Sequence, residues 1–211
     1  MPYNPGSPIP DQVRASINSS LHNLRSSEGT NPSGDTSYID CLVLHSPLPT
    51  YAETLEAWET FEEFVPHHVR TLGISNTTLP LLEALYDAAR VKPSVVQNRF
   101  YATTGFDKTL RRFCRDKGIV YQSFWTLTAN SQLLNSRPIS SLAEAMRIDK
   151  AAALYALVLG LGNTVVLDGT SNETRMKADV NAIARLSEWI VLHEREWQNV
   201  FEDFKKLINE S

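Results

Sequence analysis

Apolar residues along the chain alternate between a helical and a strand-like spacing. Val13, Ile17, Leu21 and Leu24 recur at helical spacing and predict a helix over residues 10–25, followed by a Ser/Gly/Asn-rich loop over 26–37. Residues 38–44, YIDCLVL, form a continuous apolar run of strand length. Thr50 with Glu53 three positions on has the form of a capping box, opening a helix through Leu55, Trp58, Phe61 and Val65. A strand at 69–74 precedes a helix in which Pro80 is tolerated in the first turn, with Leu81, Leu82, Leu85 and Ala89 facing inward. The pattern then predicts a short strand at 94–97, a helix at 106–117 closed by Gly118, and a strand at 119–123. An irregular polar segment runs to about Pro138, and a helix over 140–161 has a break near Ile148. A last strand at 164–167 and helices at 173–189 and 192–208 complete the chain.

Strands alternating with helices imply parallel βαβ units, their strands covered on both faces. Each predicted strand ends in polar residues: His45-Ser46, Ser75-Asn76, Gln97-Asn98, Gln122-Ser123 and Gly169-Thr170. In parallel α/β proteins the carboxyl ends of strands share one rim, where functional groups gather. Strand ends also simply emerge into water, and Ser, Thr and Asn serve as helix caps, so any one of these residues taken alone reads more readily that way. The His and the two Gln are poor caps, and together the five ends point to a site.

Composition narrows the class. The length of 211 residues, with 42% apolar and 21% charged, predicts one soluble domain over residues 1–211. A net charge of −4 gives no electrostatic reason to expect a nucleic acid or an anionic membrane as partner. The longest apolar run, residues 151–161, is about half of a membrane span. Residues 1–10 lack the layout of a secretory signal, and two cysteines make no disulfide framework, so the expected location is cytoplasmic. His67 and His68 are adjacent and lack metal-ligand spacing, so no metal is expected. Cys114 lies among Arg111, Arg112, Arg115 and Lys117, which reads as a basic helix face or as a thiol of lowered pKa.

The strings YIDCLVLHSP, VRTLGISN, PSVVQNRFY, GIVYQSFWTLTAN and VLDGTSNETRMKAD resemble, in order and spacing, the later two-thirds of an aldo-keto reductase, closest to fungal members. The resemblance implies a (β/α)8 TIM barrel that binds NADP(H) without a Rossmann domain and reduces a small-molecule aldehyde or ketone. It implies that His45 is catalytic and polarises the substrate carbonyl. Ser75, Asn76 and Gln97 would hold the nicotinamide carboxamide, and an amide's paired donor and acceptor suit that task. Ser123, Trp125 and Thr126 match the loop along the pyrophosphate. Gly169, Thr170, Arg175 and Asp179 match the clamp on the adenosine phosphate, with Thr170 at the 2′-phosphate, Arg175 paired with that phosphate or stacked on adenine, and Asp179 at the adenine amino group. Gln122 stands where an aromatic usually stacks on the nicotinamide, leaving that role to Phe124 or Trp125. Gly169 replaces a frequent lysine, which removes one positive charge and weakens the case for a strong NADPH preference, leaving Arg175 to support it. Residues 126–138 match the region where substrate selectivity varies.

The Asp, Tyr and Lys that complete the catalytic set in full members have no matching position here, and Tyr38 and Tyr101 do not stand in for that Tyr. The expectation is therefore an N-terminally truncated, partial barrel of about five parallel strands without its first three strand-helix units. Open strand edges would invite self-association or a partner chain. Two other readings follow: a nucleotide- or protein-binding module without catalysis, or a non-redox dehydratase or isomerase that reuses the His45 pocket.

Overall fold

The computed structural model describes residues 3–24 and 37–210. The loop predicted over 26–37 thus lies almost wholly outside the described residues. Five parallel strands form one open sheet in the order β1-β2-β3-β4-β5: Ile39–Leu44, Val69–Ser75, Val95–Arg99, Val120–Phe124 and Thr164–Val166. The expected partial α/β barrel architecture is therefore present, with the sheet unclosed. The chain divides into two compact units, Met1–Gln97 and Asn98–Ser211.

In the first unit, helix α1 (Ile9–Asn23) packs on α2 (Tyr51–Glu62), and α3 (Leu79–Ala88) follows β2. Leu24, placed by its spacing on one helical face with Val13, Ile17 and Leu21, is 67% exposed, because the helix ends one residue earlier and Leu24 becomes its cap. The capping box at α2 is complete: the Glu53 backbone N–H donates to Thr50 Oγ1 at 3.2 Å, and the Thr50 N–H donates to Glu53 Oε2 at 2.9 Å. The core gathers Ile17, Trp58, Leu72, Ile74, Leu82 and Leu85. Strand β1 lies at the sheet edge and has no fully buried residue, whereas β2 buries Val69, Leu72 and Ile74. Gly73 is required where it stands, because a Cβ there would meet the Val95 carbonyl oxygen at 2.9 Å.

In the second unit a 3₁₀ turn (Ala102–Asp107) leads into α4 (Lys108–Lys117), which ends on Gly118 at φ 70°. The segment predicted to be irregular contains the short helix α5 (Ser131–Leu134), and α6 (Arg137–Met146) starts with Pro138 in its first turn. The break near Ile148 occurs at Arg147, whose φ of 54° ends α6 before α7 (Lys150–Gly160). Helix α7 carries the long apolar run and is buried from Ala152 to Val158, packed against α6, α8, α9 and β5. Helices α8 (Glu173–Leu192) and α9 (Glu194–Leu207) follow. The Arg111 guanidinium, 2% exposed, pairs with the Glu210 carboxylate and also donates to the Phe106 carbonyl at 2.9 Å. That pairing fastens the chain just beyond α9 to α4. Among the described residues no helix is long and apolar enough to cross a membrane, and no cluster of three or more His, Cys, Asp or Glu could hold a metal ion.

Candidate functional site

The parallel register sets the rim of the first unit. Leu44 pairs with Ile74 and Ser75 with Gln97, so β1, β2 and β3 reach their carboxyl ends at one level and bring His45, Ser75, Asn76 and Gln97 together. Ser75 is buried, and its hydroxyl donates to the Gln97 carbonyl at 2.7 Å. The Asn76 N–H donates to the same carbonyl at 3.1 Å. Asn76 itself is left-handed at φ 54°, a conformation that Asn tolerates better than most residues. Its side-chain amide donates to the His45 carbonyl at 2.8 Å, fastening the end of β1 to that of β2. The His45 ring is exposed, with Nδ1 3.3 Å from Ser46 Oγ, and it lines a groove of about 380 Å³ whose apolar walls include Ile9, Val13, Leu48 and Phe61. An exposed imidazole at a strand end can hydrogen-bond the oxygen of a ligand in that groove.

In the second unit the residues named from sequence lie on loops. A cleft of about 650 Å³ is lined by Trp125, Thr126, Gly169, Thr170, Arg175 and Asp179, all named from sequence, together with Asp149, Tyr155 and Asp168. Trp125 is left-handed at φ 55° and 54% exposed, so its ring is not part of the core. The Arg99 guanidinium lies 4.3 Å from its ring centroid. Ser123 does not reach the surface: it is fully buried, and its hydroxyl is paired with that of Thr126. Asn172 caps α8 by accepting from the Arg175 N–H at 3.0 Å. Two further bonds brace the approach to that helix: the Asn172 N–H donates to Thr170 Oγ1 and the Thr170 N–H to Asp168 Oδ1, both at 3.1 Å.

The cleft is acidic. Asp149, Asp168 and Asp179 line it against the single guanidinium of Arg175. Burial, then the Asp168 and Asp149 charges, lift the Asp179 carboxyl above its ordinary value, while Arg175 opposes them. Tyr155 donates to Asp168 Oδ1 at 3.4 Å, and burial followed by Asp168 and Asp179 pushes its phenol well above the usual range. Cys114 is buried, and its thiol is pushed up to about 12 by burial, with Asp107 adding to the shift. The lowered thiol pKa considered for Cys114 is therefore excluded, because desolvation outweighs the nearby Arg111.

These groups fit a nicotinamide dinucleotide in part. Hydroxyl and amide groups at the rim of the first unit suit a carboxamide, and the exposed indole of the second suits a planar ring. The N-terminus of α8 with Arg175 suits an anion, but three carboxylates in the same cleft oppose a further dianionic phosphate.

Sequence reading missed Asp149, Asp168, Tyr155 and Arg99. Asp168 sits beside Gly169 in VLDGT, and Arg99 stands two residues after Gln97, on the same face of a strand by alternation. Asp149 gave no local signal, since the break between α6 and α7 carries it to the cleft.

Residues 7–189 match the Aldo/keto reductase family. The chain is 30% identical over 123 residues to the NAD/NADP-dependent indole-3-acetaldehyde reductase of Schizosaccharomyces pombe, covering 56% of this chain and 40% of that protein. It is 31% identical over 131 residues to an aldo-keto reductase of Mycobacterium tuberculosis, covering 62% and 46%. The chain thus spans about half the length of these relatives. Among solved structures, a Gox0644 variant in complex with NADPH shares its fold at a TM-score of 0.70 and 21% identity, covering 91% of this chain and 65% of that one.

Proposed function

The chain belongs to the aldo/keto reductase family, and from that premise we propose that it binds a nicotinamide dinucleotide, NAD(P)H, and takes part in reducing an aldehyde or ketone. The observation that carries the reading is the meeting of His45, Ser75, Asn76 and Gln97 at one rim of the first unit, set by strand register. A bound dinucleotide supplies the hydride. Ser75, Asn76 and Gln97 hold its carboxamide and so fix which face of the ring is presented. His45 donates a hydrogen bond to the substrate carbonyl oxygen, stabilising the negative charge that develops there. The proton for the resulting alkoxide comes from His45 or from water.

In the second unit, Trp125 and Thr126 flank the pyrophosphate, while Thr170, Arg175 and Asp179 hold the adenosine end. Ser123 supports that loop through its bond to Thr126. Substrate selectivity falls to residues 126–138. A second reading, a nucleotide-binding module without turnover, draws support from the assignment of every named site residue except His45 to the cofactor. Titrating the full chain into NADPH and NADH, with nucleotide fluorescence as readout, tests the binding. A panel of aliphatic and aromatic aldehydes and ketones then separates the two readings. Saturable binding with turnover that His45→Ala abolishes supports the reductase; binding with no turnover on any carbonyl supports the module. No binding of either nucleotide defeats both.

A further inference from the structure

We propose that the cleft of the second unit selects the dinucleotide without a 2′-phosphate, NAD(H) rather than NADP(H). The inference rests on the dinucleotide reading above and names the form of cofactor that the same site takes. Three carboxylates, Asp149, Asp168 and Asp179, line the cleft, and Arg175 is the one cation among its lining residues. The next cation along α8, Lys177, is engaged by Glu173 at 2.6 Å. A 2′-phosphate adds close to two negative charges, which must approach this carboxylate-rich lining with one guanidinium as counter-charge. A ribose 2′-hydroxyl instead brings a donor, which a carboxylate accepts, and an acceptor, which Arg175 serves.

Charge in this cleft already affects its own groups. The Asp179 carboxyl holds its proton more tightly than an ordinary aspartate, with Asp168 and Asp149 contributing after burial. The loop keeps Asp168 in place, since that carboxylate accepts from the Thr170 N–H and from Tyr155. Asp168 therefore does not turn away at little cost when an anion arrives. The adjacent position is open. A Cβ on Gly169 would meet nothing within 4 Å, so a long basic side chain fits there without backbone strain. Backbone sterics do not explain a glycine at this point, and its consequence is a cleft without a second cation.

The experiment is a pair of equilibrium titrations of the full chain with NADH and NADPH, read by nucleotide fluorescence at fixed ionic strength. They are repeated on Gly169→Lys and on Asp168→Asn, with thermal melts to show that each variant folds. The wild-type chain is expected to bind NADH about tenfold or more tightly than NADPH. Gly169→Lys should bring the ratio to about one or reverse it, and Asp168→Asn should shift it several-fold the same way. Equal or tighter binding of NADPH by the wild-type chain overturns the selectivity while leaving the dinucleotide reading intact. An unchanged ratio in both folded variants also overturns it. Binding of neither nucleotide sinks the dinucleotide reading, and this inference with it.

Discussion

The two units place their candidate groups by different means. In the first, His45, Ser75, Asn76 and Gln97 stand at the ends of hydrogen-bonded parallel strands, and register alone brings them level. In the second, the cleft residues come from the segment after β4, the α6–α7 break and the approach to α8, braced by short bonds such as those joining Asp168, Thr170 and Asn172. A site built on strand ends inherits the rigidity of the sheet. A site built on loops is set by local side-chain chemistry, and its electrostatics vary with each residue that the loops bring in. On the proposed reading, the first unit carries the groups that orient a ring and the second the charges that select among nucleotide forms.

Substitutions can break this contrast. The largest effect is expected from Arg111→Ala in the second unit. It leaves the largely buried Glu210 carboxylate without its partner; removing one member of a fully buried pair costs about 3–5 kcal/mol, and the 13% exposure of Glu210 places the loss at the lower end, about 3 kcal/mol. Chemical denaturation should show that loss, and hydrogen exchange should show it concentrated in α4 and α9. A loss below about 1 kcal/mol would mean that Glu210 escapes to water. In the first unit, Gly73→Ala drives a Cβ against the Val95 backbone and should cost about 1–3 kcal/mol. Because β2 and β3 carry the rim, dinucleotide affinity should fall with it, and wild-type affinity in a destabilised variant would separate register from binding.

Much of the contrast was legible in the sequence. The strand runs ending in LVLHSP, GISN and VVQN predicted both the strands and the polar rim, because a strand's period of two and its carboxyl end are local properties. The capping box at Thr50 and Glu53 and the helix stop at Gly118 were legible for the same reason. Three features were not. The paired hydroxyls of Ser123 and Thr126 depend on a turn that no periodicity reports. The short α5 fell in a stretch too polar and too brief to show a helical face. The acidity of the cleft depends on Asp149 and Asp168 meeting Asp179 from separate segments, a tertiary fact without a local pattern. Leu24 failed for a simpler reason: helical spacing continued past the point where the helix stops.

Smaller effects sharpen the loop side. Asn172→Ala removes the N-cap of α8 and should cost about 1 kcal/mol. The cap also positions Arg175, so dinucleotide affinity should drop several-fold, and Asn172→Asp should restore the cap. The smallest effect concerns Asp179. Its folded carboxyl lies above its ordinary value, so the folded chain keeps that proton to higher pH than the unfolded chain. This contribution favours folding at low pH and is lost as pH rises through the folded value. Asp179→Asn should therefore gain stability relative to the wild-type chain between about pH 4 and neutrality, by under about 1 kcal/mol. Denaturant midpoints across that range measure it, and a constant difference between the two proteins would show that Asp179 titrates normally.

The most direct test of the account is a titration of the full chain into reduced nicotinamide dinucleotide, compared with Asn76→Gly. Glycine keeps the left-handed backbone at that position and deletes only the amide. The account predicts saturable binding by the wild-type chain and a loss of about tenfold in the variant. Absence of saturable binding by the wild-type chain, or equal binding by the folded variant, would contradict it.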